Sequence, residues 1–151
     1  MEIPELLRDS RVIAVVGLSS DPFRPSHGVA EYMQSAGYRI VPVNPNETEV
    51  LGERSYASLE EVPGKIDIVN VFRRADECDE IVRQSIEKKA KTVWFQLRIV
   101  NEKAAESAES AGLQVIMDKC VKMEHGRYNG SLHWVGMNTE IVTARKSRRL
   151  F

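Results

Sequence analysis

Residues 12–30, VIAVVGLSSDPFRPSHGVA, join an apolar strand-like run to a loop and then to the start of a helix. Val12–Val16 is short, rich in valine and apolar on both faces, which is typical of a parallel strand covered by helices on both sides. Gly17 ends this run, and Ser26 is the expected N-cap of the helix. The stretch therefore predicts the strand–loop–helix unit that opens many nucleotide-binding α/β sheets.

Four further segments repeat the apolar pattern of the first strand: Arg39–Val43, Asp67–Phe72, Thr92–Phe95 and Gln114–Met117. Helical patterns lie between them: Ser26–Ala36 before Gly37, Ser58–Val62 with a capping box to Glu61, Asp76–Lys89 with Cys78 in its buried stripe, and Glu102–Ala111 after Asn101. Strands that alternate with helices predict parallel pairing and right-handed crossovers. We expect an α/β fold, a Rossmann-like doubly wound parallel sheet of five strands in the order 3-2-1-4-5, with helices on both faces.

The chain has 151 residues, which suits a single domain, with a core at about 11–125 and an irregular C-terminal extension at 126–151. Val121–His125 is expected to start a short helix, and Ile141–Thr143 is a candidate edge strand. We expect the Lys/Arg-rich end to be a solvated tail. Trp134, Met137 and Phe151 have no evident internal partner, and this motivates the hypothesis of a homo-oligomer or an enzyme partner.

The formal net charge is −1, so no global electrostatic field favours nucleic acid or an anionic membrane. The N-terminus lacks the apolar region of a signal peptide, and the apolar runs are too short to span a bilayer. The two cysteines, Cys78 and Cys120, form neither a C-x-x-C pair nor a metal-ligand cluster. We expect a cytoplasmic protein with free thiols and no bound metal.

The residues that follow each strand are expected to form a ligand site, because ligands of open α/β sheets bind outside the carboxyl ends of the strands. In chain order they are Gly17–Ser20, Asn44 and Pro45, Arg73 and Arg74, Gln96–Arg98, and Asp118–Cys120. Several are cationic or can donate hydrogen bonds. The sequence therefore predicts a local anion site in a protein of nearly neutral charge.

A dinucleotide site is tested by the fingerprint G-x-G-x-x-G, which needs glycines where this chain has Ser19 and Pro22. It also needs an acid at the end of the second strand, where this chain has Asn44. Both features fail, which argues against NAD. Gly28 lies in the first turn of the helix, where a missing Cβ permits close approach of a phosphate or of neighbouring backbone.

An ordered set of short motifs resembles the CoA-binding protein family, small Rossmann-like proteins similar to the CoA-binding domain of the succinyl-CoA synthetase α subunit. The motifs are Gly17-x-Ser19, Arg24-Pro25-Ser26, VPVNP at 41–45, Val71-Phe72-Arg73, WFQL at 94–97, MDKC at 117–120 and Glu124-His125. They run from about Arg11 to His125. The resemblance implies binding of coenzyme A at the strand ends, with no established catalysis.

The matching positions imply a role for each part of the ligand. Gly17, Ser19, Arg24 and Ser26 would hold phosphates, Val43, Asn44 and Pro45 would border the nucleotide, Phe72 and Arg73 would lie by the adenosine or pyrophosphate, and Gln96 would lie near the pantetheine. With the rim residues, the candidate ligand-binding residues are Gly17, Ser19, Ser20, Arg24, Pro25, Ser26, Val43, Asn44, Pro45, Phe72, Arg73, Gln96, Leu97 and Cys120. The family often has glycine where this chain has Arg98, which would add a phosphate contact or narrow the pantetheine path.

Three functions remain open from the sequence. The first is a module that binds coenzyme A or an acyl-CoA without chemistry of its own. The second is a thiol-redox or acyl-transfer enzyme in which Cys120 meets the CoA thiol. The third is a module that senses NAD or another adenine nucleotide. No Ser–His–Asp or Cys–His arrangement is visible, so no catalytic residue is assigned.

Overall fold

The computed structural model describes residues 1–129. Its main sheet has five parallel strands: β1 (Val12–Val16), β2 (Arg39–Val43), β5 (Ile68–Val71), β6 (Thr92–Phe95) and β7 (Gln114–Ile116). They lie in the order β2-β1-β5-β6-β7. A short antiparallel hairpin, β3 (Glu49–Val50) and β4 (Glu53–Arg54), follows β2. All five predicted strands are present, within one residue of the expected bounds at each end.

The strand order agrees with the doubly wound scheme once a minor segment is counted. Beyond β2, Tyr56 forms an isolated parallel bridge with Val43. When this bridge is counted as the third element, the order reads 3-2-1-4-5-6, which extends the expected 3-2-1-4-5 pattern, and β5 takes the fourth place directly beside β1. The order in which the strands are added reverses between β1 and β5. This point is the topological switch point of the sheet, where ligands of such folds bind.

The strand ends are level with one another. Val16 pairs with Val43 and with Val71, and Val71 pairs with Phe95. The residues that follow these four strands therefore emerge along one line at the carboxyl edge of the sheet. This register brings together side chains that are far apart in the sequence.

Helices cover both faces of the sheet, as predicted. They are α1 (Ile3–Asp9), α2 (Pro25–Ser35), α3 (Cys78–Glu87), α4 (Glu102–Ser110) and α5 (Val121–Tyr128), with 3₁₀ turns at Leu59–Glu61 and Ala75–Glu77. One buried cluster unites alternate strand residues with α3 and α4, and it includes Cys78. The other unites the opposite strand residues with α1, α2 and α5.

Two predicted caps are wrong. Helix α2 begins at Pro25 with Arg24 as its N-cap, so Ser26 lies inside the first turn. Proline is favoured at the first helical position because its missing N–H has no intrahelical partner there. Ser58 makes no side-chain cap, and the N–H of Glu61, which the predicted capping box would direct to the Ser58 side chain, donates to the Ser58 carbonyl oxygen instead, at 3.2 Å.

Three other predicted helix ends are present in the structure. Gly37 and Gly112 have φ of 105° and 93° just after α2 and α4, as expected of C-terminal glycines. Asn101 caps α4 by accepting from the N–H of Ala104 at 2.9 Å. The predicted edge strand at Ile141–Thr143, the basic tail and the residues Trp134, Met137 and Phe151 all lie outside the described residues.

Candidate functional site

A cavity of about 740 Å³ opens at the carboxyl edge of the sheet. Its volume is within the range of small-molecule and cofactor sites. The residues that line it are Gly17, Ser19, Arg24, Pro25, Ser26, Asn44, Asn46, Glu47, Phe72, Arg73, Arg74, Gln96, Leu97, Arg98 and Ile99. The cavity therefore combines residues from the ends of β1, β2, β5 and β6.

Gly17 permits the close approach of two strand ends. Its φ is 92°, a conformation that side chains rarely adopt. A Cβ at this position would lie 2.6 Å from the carbonyl oxygen of Phe72 and 2.8 Å from Cδ of Arg73. The glycine is thus required by both its backbone conformation and its neighbours.

The loop between β1 and α2 is ordered by its own polar groups. The N–H of Ser19 donates to Oγ of Ser26 at 3.1 Å, and Ser19 Oγ accepts from the N–H of Asp21 at 3.0 Å. Ser26 therefore holds the loop rather than capping the helix. Arg24 is exposed at the cavity rim, with Nε 3.9 Å from a carboxylate oxygen of Asp21. An exposed pair of this length leaves the guanidinium available to a phosphate.

Asn44 joins the two loops that follow β1 and β2. Its buried side chain donates from Nδ2 to the carbonyl of Leu18 at 3.0 Å. Its Oδ1 accepts from the N–H of Asn46 at 3.0 Å, which is a local turn bond. Both halves of the amide are therefore used within the protein, and the residue shapes the cavity wall.

Two of the four arginines of the cavity are paired with acids of the 3₁₀ turn Ala75–Glu77. Nη2 of Arg73 lies 2.8 Å from Oε1 of Glu77, and this hydrogen bond lowers the pKa of Glu77. Arg74 lies within 3.6 Å of Asp76 and of Glu77. The positive charge of this side of the cavity is therefore partly compensated.

Gln96 supplies a buried donor at the end of β6, with 4% of the residue exposed. Its Oε1 accepts from Nδ2 of Asn70 at 3.2 Å and from the N–H of Val121 at 3.4 Å. Its Nε2 has no hydrogen-bond partner within residues 1–129. Because buried donors are almost always satisfied, an acceptor on a ligand is the natural partner for this amide.

Arg98 has a φ of 73°, in the left-handed region that favours glycine. Its N–H donates to Oδ1 of Asp118 at 2.7 Å, which helps to hold this conformation. The conformation gives a physical reason for the glycine that similar proteins often have here. Arg98 lines the cavity, and no ion pair involving its guanidinium is found within the described residues.

A second cavity of about 300 Å³ lies beside the first, and both are bordered by Gly17 and Arg73. Val43 and Pro45, which were expected to border the nucleotide, line this smaller cavity. The candidate residues are therefore divided between two neighbouring spaces at the ends of β1, β2 and β5.

Two candidate residues line neither cavity. The N–H of Ser20 donates to Oε2 of Glu47 at 2.8 Å, but Ser20 itself lines neither cavity. Cys120 is only 5% exposed and lies in the core cluster that contains Leu18 and Trp94. Sequence reasoning also missed Asn46, Glu47 and Ile99. The signal for Glu47 was an acid four residues beyond the second strand, outside the position at which an acid was sought.

Three comparisons identify relatives of this chain. The family model described as "CoA binding domain" matches residues 11–126. The uncharacterized protein YneT of Bacillus subtilis (strain 168) is 48% identical over 124 residues, which cover 82% of this chain and 92% of that protein. The α subunit of acetate–CoA ligase [ADP-forming] II of Pyrococcus furiosus is 25% identical over 147 residues, covering 90% of this chain and 31% of that subunit.

A solved structure has the same fold. The hypothetical protein from Pyrococcus horikoshii OT3 superposes with a TM-score of 0.83 at 40% identity, covering 85% of this chain and 90% of that one. The fold and the site at its strand ends define a Rossmann-like protein of the doubly wound class. This chain belongs to the CoA-binding domain family. No helix within residues 1–129 is both long and apolar enough to cross a membrane.

Proposed function

We propose that the chain binds coenzyme A or an acyl-CoA along the carboxyl edge of the sheet. The observation that carries this proposal is the cavity of about 740 Å³, which is lined by most of the residues that the family resemblance implicated. Membership of the CoA-binding domain family supports the same ligand.

The residues present fit the chemical groups of coenzyme A. Arg24 and the N-terminal end of α2, where the helix dipole favours negative charge, would hold phosphate oxygens. Gln96 Nε2 would donate to a carbonyl of the pantetheine, which would satisfy its buried amide. The smaller cavity, with Val43 and Pro45, would border the adenine ring, and the ribose would lie at the β2 side of the larger cavity. The ligand would thus extend from β2 across β1 and β5 to β6.

Titration calorimetry with coenzyme A, acetyl-CoA, NAD and ATP tests this proposal. We expect binding of coenzyme A and acetyl-CoA, and at least tenfold weaker binding of NAD and ATP, because neither carries a pantetheine to reach Gln96. Tight binding of NAD without binding of coenzyme A would contradict the proposal and favour a dinucleotide-sensing module. The full chain is used, so the measurement includes residues 130–151.

We propose that the chain has no catalytic machinery of its own and that Cys120 takes no part in thiol chemistry. Burial of Cys120 in the core cluster supports this, because disulfide exchange needs an accessible thiolate. Cys120→Ser should bind coenzyme A with unchanged affinity, and the wild-type protein mixed with CoA disulfide should show no added CoA mass. A mixed disulfide that is present in the wild type and in Cys78→Ser but lost in Cys120→Ser would instead establish a redox role.

We propose further that the module acts in the cytoplasm with a second copy or with a separate enzyme. A relative whose printed name is the α subunit of an ADP-forming acetate–CoA ligase supports a partner of this kind, since this chain matches only 31% of that subunit. A native mass spectrum of freshly purified full-length protein reports the oligomer and any ligand of CoA mass together. A monomer that neither carries nor acquires CoA would contradict both proposals.

A further inference from the structure

Glu47 lines the larger cavity together with four arginines. Within the described part of the chain, no other acidic residue lines this cavity. Glu47 lies four residues beyond the end of β2, half-buried, in a turn built by Asn44. The N–H of Glu47 donates to the carbonyl of Asn44 at 3.2 Å, and the N–H of Asn46 donates to Asn44 Oδ1 at 3.0 Å. The turn therefore positions the backbone of Glu47 at the end of β2.

The carboxylate of Glu47 contacts the loop between β1 and α2 directly. Oε2 accepts from the N–H of Ser20 at 2.8 Å, so a backbone donor of the loop is already bound to a negative group. No ion pair joins Glu47 to a cation within residues 1–129, whereas Arg73, Arg74 and Arg24 each have an acid within 4.0 Å. The β2 side of the cavity is therefore negative rather than positive.

The position of this charge determines what it can recognise. In doubly wound nucleotide-binding sheets, an acid near the end of the second strand accepts hydrogen bonds from ribose hydroxyls, whereas an arginine there accommodates a ribose phosphate. Glu47 provides the first arrangement at the edge of the cavity nearest β2. A phosphate on the ribose would lie beside an uncompensated carboxylate and would be repelled.

We propose that Glu47 is a specificity-determining residue that accepts a hydrogen bond from the adenine ribose and discriminates against its 3′-phosphate. This inference rests on the proposed function and names the part of the ligand that is read. Dephospho-CoA, which has a free ribose diol, then binds at least as tightly as coenzyme A. The binding free energy comes from the pyrophosphate and the pantetheine.

Calorimetry of the wild type and of Glu47→Gln, each with coenzyme A and with dephospho-CoA, tests the inference. Removing the charge should tighten binding of coenzyme A about tenfold, the scale of a screened repulsion between neighbouring charges. Binding of dephospho-CoA should change less than about threefold, because the amide still accepts from a hydroxyl. The matched control is Glu49→Gln, which removes the same charge from an exposed residue of β3 that does not line the cavity, and it should change neither affinity.

Equal changes for both ligands in Glu47→Gln would overturn the inference and leave the proposed function intact. Binding of coenzyme A by the wild type more than about tenfold tighter than dephospho-CoA would also overturn it, since the 3′-phosphate would then be recognised favourably. Absence of binding by both ligands would overturn the proposed function, and the inference with it. The three results differ, so the two proposals are separated.

Discussion

At the scale of single residues, Gly17 sets the approach of β1 to β5. Gly17→Ala should lower the free energy of unfolding by about 2–4 kcal/mol, from the strain of a positive φ and from the contact with Phe72. Gly112→Ala is the matched control, because its φ is 93° and no atom lies within 4 Å of an added Cβ. Urea unfolding measures both variants. Equal losses would show that φ alone requires glycine and that the contact with Phe72 relaxes.

Asp67 anchors the start of β1 to the start of β5. Burial raises the pKa of its carboxyl, but the N–H groups of Val12 and Arg11, each 2.9 Å from Oδ2, and the charge of Lys91 outweigh this effect and lower it overall. A lowered pKa in the folded state means that the stabilisation is present above the ordinary value of about 4 and is lost as the pH falls through the lowered value.

Asp67→Asn should therefore destabilise the protein by about 1–3 kcal/mol at neutral pH, the cost of weakening hydrogen bonds to a charged acceptor. The difference from the wild type should narrow as the pH falls below about 4. Denaturant unfolding along a pH series measures it. Asp9→Asn, at an exposed position of α1, is the control and should have little effect at any pH. A difference that stays constant into acid would show that the charge of Asp67 is not involved.

At the scale of elements, Gly28 lies in the first turn of α2, where the lack of a Cβ would permit close approach either of a phosphate or of neighbouring backbone. The alternative of tight packing against the sheet is wrong, because no protein atom lies within 4 Å of an added Cβ. Gly28→Ala should raise the free energy of unfolding by about 0.5–1 kcal/mol by lowering the entropy of the unfolded chain. Gly37→Ala, just beyond the same helix at a φ of 105°, should instead destabilise. Calorimetry of Gly28→Ala with coenzyme A then reports whether a phosphate approaches: a large loss of affinity means that it does.

The strands were predictable because runs such as Ile68–Val71 bury both faces and carry a strong apolar signal. The hairpin of β3 and β4 was missed because two-residue strands show no periodicity. Helix α1 was missed because its seven residues hold little apolar pattern beyond Leu6 and Leu7. The cap of α2 was misassigned because Ser26 and Pro25 both signal a helix start, and the geometry of proline decides between them.

At the scale of the whole molecule, the grouping of the candidate residues at one edge was predictable, because level strand ends bring the residues after each strand together. Cys120 also follows a strand in the sequence and was expected at that edge. It is the N-cap of α5, however, and its side chain is buried in the core cluster. Glu47 lies in a turn whose direction depends on Asn44, so its position four residues after β2 did not by itself indicate that it lines the cavity. Side-chain direction in loops depends on tertiary contacts, which a strand pattern does not contain.

Arg24 should bind the pyrophosphate, because it lies on the loop after β1. Glu47 lies at the β2 side of the larger cavity, where the ribose would bind. Arg24→Ala should weaken coenzyme A and dephospho-CoA equally, each by about tenfold or more, as expected for loss of a charge-assisted hydrogen bond. Arg39→Ala is the matched control, since it removes the same charge from an exposed residue at the amino end of β2 and should leave both affinities unchanged. Calorimetry measures all four affinities. A loss of affinity confined to coenzyme A would instead assign Arg24 to the 3′-phosphate. The site would then attract the 3′-phosphate through Arg24, and this would contradict discrimination against it by Glu47.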